Sequence, residues 1–267
     1  MILFPNAKIN IGLAVTEKRS DGYHNIESVF VPVPICDTLE IIPSKEFQFK
    51  TFGLTIEGKA EHNLCIKAYK LLKNDFDLPP VEIVLFKNIP MGAGLGGGSS
   101  DAAYTLIALN KIFDLKLTDS QLVTYASKTG SDCSFFIYNT PCFAEQKGEK
   151  MTPVSVNLTN YYIKLIKTSV HISTADAYKN IFPHKTTISF KKIVEEKPME
   201  EWKNYLYNDF ETQAFSNYPI LKSIKEKLYN EGALYASMTG SGSAIYGIFD
   251  SIPAIDKSID FCQIAKL

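Results

Sequence analysis

One segment constrains this chain more than any other: Pro90-Met91-Gly92-Ala93-Gly94-Leu95-Gly96-Gly97-Gly98-Ser99-Ser100-Asp101. It lies between a strand-like run at 81–86 and a helix-like run at 101–113. Five of the seven residues from 92 to 98 are glycine. That leaves the backbone bare enough to wrap around an anion. A loop that feeds a helix also offers free N–H groups and the positive end of the helix dipole, a site for phosphate. Ser99 and Ser100 add hydroxyl donors at the same terminus. So many glycines cost chain entropy and add no packing, so a ligand is the better reason for them.

Two familiar phosphate loops are excluded by single positions. Gly92, Gly94 and Gly97 satisfy GxGxxG, but the dinucleotide fingerprint requires a second strand after the helix, ending in an acidic residue. Here Thr118-Asp119-Ser120-Gln121 is a capping box that opens another helix carrying Leu122, Tyr125 and Ala126, which weakens an oxidoreductase reading. A Walker A loop needs lysine at Gly98, and a protein-kinase loop wants valine at Ser99.

Elsewhere the pattern alternates between strand and helix periods. In Lys8-Ile9-Asn10-Ile11-Gly12-Leu13 the apolar residues alternate with polar ones, predicting a half-buried strand with Lys8 and Asn10 on one face. Further strands are expected at 28–33, 38–42, 46–52 and 161–167, with a final one at 244–249. Helices are expected at 63–73, with Leu64, Ala68, Leu71 and Leu72 on one stripe, and at 101–113, where Asp101 is a typical cap. Two more are expected at 207–215 and after Pro219, the latter turning Leu221, Ile224 and Leu228 inward. The charged stretch 185–201 reads as a solvated loop or surface helix. The pattern turns polar around 153–159, the best candidate for a domain boundary.

Lys plus Arg (28) nearly balances Asp plus Glu (29), for a net charge of −1 over 267 residues. That argues against a nucleic-acid binder. The five cysteines, Cys36, Cys65, Cys133, Cys142 and Cys262, have no CxxC spacing, which fits reduced thiols in a cytoplasmic protein rather than a zinc ribbon. No run approaches the ~20 apolar residues of a membrane span, and no signal peptide is read, so no membrane partner is expected.

Three segments together resemble the small-molecule kinases named for galactokinase, homoserine kinase, mevalonate kinase and phosphomevalonate kinase. They are residues 5–13 (Pro5-Asn6-Ala7-Lys8-Ile9-Asn10-Ile11-Gly12-Leu13), the glycine loop, and Thr239-Gly240-Ser241-Gly242-Ser243-Ala244. Arg19-Ser20-Asp21-Gly22-Tyr23-His24 and Gly130-Ser131-Asp132-Cys133-Ser134-Phe135-Phe136 resemble the branch acting on 4-diphosphocytidyl-2-C-methylerythritol, in the non-mevalonate isoprenoid route. The resemblance runs in register from about residue 5 to residue 249. It implies an α+β, two-domain small-molecule kinase fold. The N-terminal nucleotide domain (ribosomal S5 domain 2-like, residues 1–155) would be followed by a C-terminal ferredoxin-like, substrate-binding domain (156–267). It also implies ATP with Mg2+ as phosphoryl donor and the acceptor's tertiary 2-hydroxyl as nucleophile.

The same resemblance assigns roles to residues. Asp132 matches the catalytic base, and Lys8 the catalytic lysine that keeps it ionised and stabilises the reacting oxygens. Asn10 would bond the erythritol end of the acceptor. His24 would read the cytosine edge, with Tyr23, Phe30 and Tyr178 around the ring. Thr239 and Gly240 would lie beside the glycine loop, at the reacting end. Asn63 and Lys87 would lie near the adenine, and Ser99 is the candidate magnesium ligand. The chain departs from the family pattern in two places. Thr174-Ala175-Asp176-Ala177-Tyr178 keeps the threonine but lacks the usual proline and has Tyr for Phe, and Asp101 stands where relatives often have Asn. Rival readings are a sister kinase for homoserine or mevalonate, a mevalonate-diphosphate decarboxylase, and a non-catalytic sensor. Gly22-Tyr23-His24 argues against the kinases and the decarboxylase, and retention of Lys8 and Asp132 against the sensor.

Overall fold

The computed structural model describes residues 1–179, 181–256, 259 and 261–267. In chain order it holds β1 (Ile2–Leu3), β2 (Asn6–Lys18), β3 (His24–Cys36), β4 (Thr38–Pro43), β5 (Gln48–Gly53), α1 (Leu64–Phe76), β6 (Val81–Lys87), α2 (Gly97–Ile112), α3 (Asp119–Thr129) and α4 (Cys133–Tyr138). There follow β7 (Cys142–Gln146), β8 (Lys150–Pro153), β9 (Tyr162–Lys167), α5 (Thr174–Tyr178), α6 (Phe190–Glu196), α7 (Met199–Trp202), α8 (Phe210–Asn217), α9 (Pro219–Asn230), β10 (Tyr235–Met238), β11 (Ile245–Phe249) and β12 (Phe261–Lys266). One compact unit comprises residues 1–7, 35–91 and 96–140; the other comprises 8–34, 92–95 and 141–267.

The first unit is built on the sheet β1-β4-β6-β5. β5 and β6 are parallel, and α1 supplies the long connection a parallel pair requires. Strand alternation turns Leu39, Ile41, Val81, Ile83 and Leu85 inward. They share one core with Ala68 and Leu72 of α1, Leu106 and Leu109 of α2, and Leu122 and Ala126 of α3. The same alternation makes Lys87 the next inward residue of β6 and leaves it 1% exposed. α3 opens with the predicted capping box between Thr118 and Gln121.

Asp101 does not cap α2. The helix begins four residues earlier, inside the glycine run, with Gly96 in the left-handed cap position at φ +70°. Tertiary packing overrides glycine's low helix propensity here. A Cβ on Gly97 would stand 2.9 Å from both the Lys87 Nζ and the Ile89 Cγ2, so the close approach of β6 to α2 needs a residue without one.

The second unit carries two sheets, β2-β3-β7-β8 and β10-β11-β9-β12, the latter antiparallel throughout. β2 is buried on both faces from Asn6 to Val15, not half-solvated as its alternation predicts. Lys8 and Asn10 do share a face, but it is an interior one. The stretch 185–201 is likewise less solvated than its charge implies, because α6 and α7 bury Phe190, Ile193, Val194, Met199 and Trp202. The strand at 244–249 is not the last. β12 follows it, an edge strand whose residues are almost all half-buried and so lack the alternation that marks a strand in sequence. Among the described residues no helix is long and apolar enough to cross a membrane.

Candidate active site

In the first unit the N-terminal turn of α2 borders a cavity of about 310 Å³. Its apolar walls are Phe49, Ile56, Leu64 and Met91, and Thr51, Glu57, Lys59, His62, Asn63 and Asp101 contribute polar and charged groups. Apolar walls with several polar groups among them are the usual lining of a small-molecule site. Gly98 also borders it, whereas the Asn63 side chain is partly committed, accepting from the Cys65 N–H at 2.9 Å to cap α1. Ser99 and Ser100 occupy the first turn of α2. Ser99 is half-buried, and the Ser100 hydroxyl is buried with no hydrogen-bond partner among the described residues.

Lys87 is not presented to this cavity. Its ammonium is held by Asp37 and, at 2.8 Å, by Asp101. Asp37 in turn accepts from the Asn88 and Ile89 backbone N–H groups at 2.6 and 2.8 Å. This buried triad joins the end of β6 to the start of α2, and it fixes those two boundaries of the glycine loop. Burial lowers the Lys87 pKa, but the two carboxylates outweigh it and the net shift is upward. Sequence reasoning missed Asp37, which looks like an ordinary turn residue, and misread Asp101 as a cap. The one signal available was a lysine on the inward phase of β6.

Asp132 stands at the N-cap position of α4, half-buried, with its carboxylate not capping the helix. An aspartate so near a glycine is usually a turn or cap residue, and here it does not serve as the cap.

The second unit gathers most of the remaining candidates. The Lys8 Nζ donates to Asn10 Oδ1 at 2.7 Å and lies 4.9 Å from the centroid of the Phe30 ring. Asn10 donates through Nδ2 to the Ser28 hydroxyl at 2.9 Å and through its backbone N–H to Thr239 Oγ1 at 3.1 Å. Asn10 is 2% exposed, so its immediate effect is to aim Lys8. Residues 92–95 of the glycine loop are bound here as well. Thr239 Oγ1 donates to the Gly94 carbonyl at 3.1 Å, the Ala244 N–H to Ala93 at 3.2 Å, and the Lys8 N–H to Leu95 at 2.9 Å. Asn208 donates to the Met238 and Gly240 carbonyls at 2.8 and 2.9 Å and so holds the second Gly/Ser loop from below. As a lone asparagine it carried no signal in the sequence.

The His24 ring stacks on Tyr178 with centroids 4.8 Å apart, and Phe210 meets Tyr178 edge-on at 4.9 Å. Tyr23 is 61% exposed, and its ring lies under Lys147. Thr174 opens α5, its hydroxyl 3.4 Å from that of Ser241. The absence of proline at Ala175 does not unravel this short helix, because Ser173 caps it by accepting from the Asp176 N–H and donating to the Asp176 carboxylate. Burial, then Lys18, lowers the His24 pKa, which favours a neutral ring with one donor and one acceptor nitrogen.

Gly94 marks where the two loops touch. Its φ is +77°, and a Cβ there would lie 2.0 Å from the Thr239 carbonyl oxygen. Gly94→Ala is expected to cost roughly 3 kcal/mol or more, combining left-handed strain with overpacking against backbone. Urea denaturation will show this as a lowered midpoint, and an unchanged midpoint would refute the tight contact.

Two sequence models of one family match the chain: the GHMP kinases N terminal domain over residues 63–140 and the GHMP kinases C terminal over residues 190–258. A fold of this kind, with a glycine-rich loop ahead of α2, is that of a GHMP small-molecule kinase. The 4-diphosphocytidyl-2-C-methyl-D-erythritol kinases of Bacteroides fragilis and Bacteroides thetaiotaomicron are 49% and 51% identical, each aligning over 100% of both chains. A crystal structure of 4-(cytidine 5'-diphospho)-2C-methyl-D-erythritol kinase superposes with a TM-score of 0.78 at 28% identity, covering 92% of this chain and 89% of that one. The chain therefore belongs to the 4-diphosphocytidyl-2-C-methyl-D-erythritol kinase family. Homoserine kinase from Cytophaga hutchinsonii, at 20% identity and a TM-score of 0.65 over 92% of this chain and 85% of its own, shares the fold.

Proposed function

We propose that this chain transfers the γ-phosphate of ATP to the 2-hydroxyl of 4-diphosphocytidyl-2-C-methyl-D-erythritol, giving the 2-phosphate and ADP. Full-length identity of 49–51% to two kinases named for that acceptor carries the reading. The stacked His24 and Tyr178 support it, since a base needs a face to stack on and an edge-reading group. The boundary expected near residue 155 belongs to the same proposal, dividing a nucleotide-binding part from one that helps to bind the acceptor.

Phosphoryl transfer asks the protein mainly for positioning and charge stabilisation. Asp132 is assigned to take the proton of the tertiary hydroxyl. Lys8, aimed by Asn10, is assigned to neutralise charge gathering on the reacting oxygens. The backbone N–H groups of residues 92–98, with the N-terminus of α2, are assigned to the phosphates. Thr174, Thr239 and Gly240 are assigned to the acceptor, with Tyr23 and Phe30 in the aromatic surround.

Magnesium enters as part of the nucleotide substrate. Among the described residues no three His, Cys, Asp or Glu side chains converge to cage a metal. Magnesium carried by phosphates needs only one or two protein oxygens and otherwise keeps water. The Ser99 hydroxyl, in the first turn of α2, fits that role.

ATP consumption with the cytidyl acceptor, beside mevalonate, homoserine and a no-acceptor control, tests the reading. Turnover is expected with the cytidyl acceptor only. Turnover with a control acceptor in its place would move the chain to a sister activity.

A further inference from the structure

Lys8, Asn10, Ser28 and the Gly12 carbonyl form one directed chain of hydrogen bonds. A carbonyl only accepts, so the Ser28 hydroxyl donates its single proton to Gly12, at 2.6 Å. The Ser28 oxygen accepts in turn from Asn10 Nδ2 at 2.9 Å. An ammonium only donates, so Lys8 Nζ takes the other end of the amide, Oδ1, at 2.7 Å. Reversing the amide would set a donor against the Lys8 ammonium, and an acceptor against a hydroxyl whose proton is already committed. One sense alone satisfies the chain.

Burial enforces that sense. Ser28 is 0% exposed, Asn10 2% and Lys8 4%, so a lost partner is not cheaply replaced by water. The Asn10 backbone is pinned separately: its N–H donates to Thr239 Oγ1 at 3.1 Å, and its carbonyl accepts from the Tyr246 hydroxyl at 2.7 Å. What remains free is the side chain. Thr239 Oγ1 lies 3.3 Å from Asn10 Oδ1, but its proton has a nearer acceptor in the Gly94 carbonyl at 3.1 Å. Ser28 therefore anchors the end of the amide that Lys8 does not touch. Strand alternation puts Ser28 and Phe30 on one face of β3, and the Phe30 ring centroid lies 4.9 Å from Lys8 Nζ. One strand thus braces both members of the Lys8–Asn10 pair.

We propose that Ser28 is a positioning residue for phosphoryl transfer: it anchors the Asn10 amide and, through it, holds the Lys8 ammonium where charge gathers on the reacting oxygens. The assignment rests on the reading of Lys8 as the cation of that reaction. Without the hydroxyl, Nδ2 turns toward another acceptor and carries Oδ1 off its line to Lys8. Charge that stabilises a transition state acts best when it is already in place, so the loss falls on kcat rather than on the binding of either substrate.

The test measures kcat and both KM values, with ATP and the cytidyl acceptor, for the wild type, Ser28→Ala, Ser28→Thr, Lys8→Met and Lys8→Met with Ser28→Ala. Ser28→Ala is expected to lower kcat by about 10-fold while each KM stays within about twofold. Ser28→Thr, which keeps the hydroxyl, is expected to recover most of that loss. In the Lys8→Met background the Ser28→Ala change should cost less than about twofold in kcat, because Ser28 acts through Lys8. An equal loss in both backgrounds would overturn the inference, as would a folded Ser28→Ala with wild-type kcat beside an impaired Lys8→Met. Should Ser28→Ala fail to fold, Ser28→Cys carries the same test, since a thiol of similar shape donates and accepts only weakly. A Lys8→Met that keeps wild-type kcat would remove Lys8 from the reaction and this inference with it.

Discussion

Asp132→Asn is expected to lower kcat by about 10³-fold, within the range that loss of a general base produces, while KM for both substrates stays within a few-fold. The tertiary 2-hydroxyl is a crowded, weak nucleophile, and an amide of the same shape cannot take its proton. The substitution should leave the fold intact. Asp132 sits at the N-cap position of α4 without capping it, so no helix-ending hydrogen bond is lost there, and thermal unfolding of the variant checks that the fold is kept. Lys8→Met is the companion variant. It keeps an unbranched side chain but removes the charge over the Phe30 ring and the donor to Asn10, so kcat should fall by about 10²-fold or more, with some loss of stability. A kcat for Asp132→Asn within threefold of wild type, with the fold retained, would remove Asp132 from the base role.

How much of this was legible in the sequence depends on whether a residue's job is local. Thr118 and Gln121 cap α3 through bonds three residues apart, and their spacing gave the cap away. Pro219 and the inward stripe Leu221, Ile224 and Leu228 placed α9 for the same reason. The glycine run marked the connection between β6 and α2, but not that α2 begins within it, because the room Gly97 leaves for Lys87 and Ile89 is a tertiary fact. Asn208, Asp37 and Ser28 act through partners 16 to 52 positions away, and no local pattern marks such residues. The charge of residues 185–201 concealed four buried side chains, because short helices alternate faces within a single turn.

Lys87→Met should destabilise the protein by roughly 3–5 kcal/mol at pH 8, the cost of removing one partner from a buried ion pair and leaving the other charge uncompensated. Asp37 and Asp101 would then face each other without the cation between them. The pH dependence follows from Asp101. Burial already lifts its pKa to about 8 despite the attraction of Lys87, so the folded chain holds a proton that the unfolded chain releases near pH 4. A group raised on folding contributes stability that is fully present below its unfolded pKa and is lost as pH rises through the folded one. The wild type therefore loses this contribution between about pH 4 and pH 8. Without Lys87 the Asp101 pKa rises further and the loss continues above pH 8, so the deficit of the variant against wild type should be larger at pH 9.5 than at pH 8. Adding Asp101→Leu to Lys87→Met should recover part of the loss at pH 8, because it removes one of the stranded carboxylates. Urea denaturation of the three proteins at both pH values decides the matter. A deficit that is the same at pH 8 and pH 9.5, with no recovery in the double variant, would mean that Lys87 stabilises by packing its stem rather than by holding two acids together at the boundaries of the glycine loop.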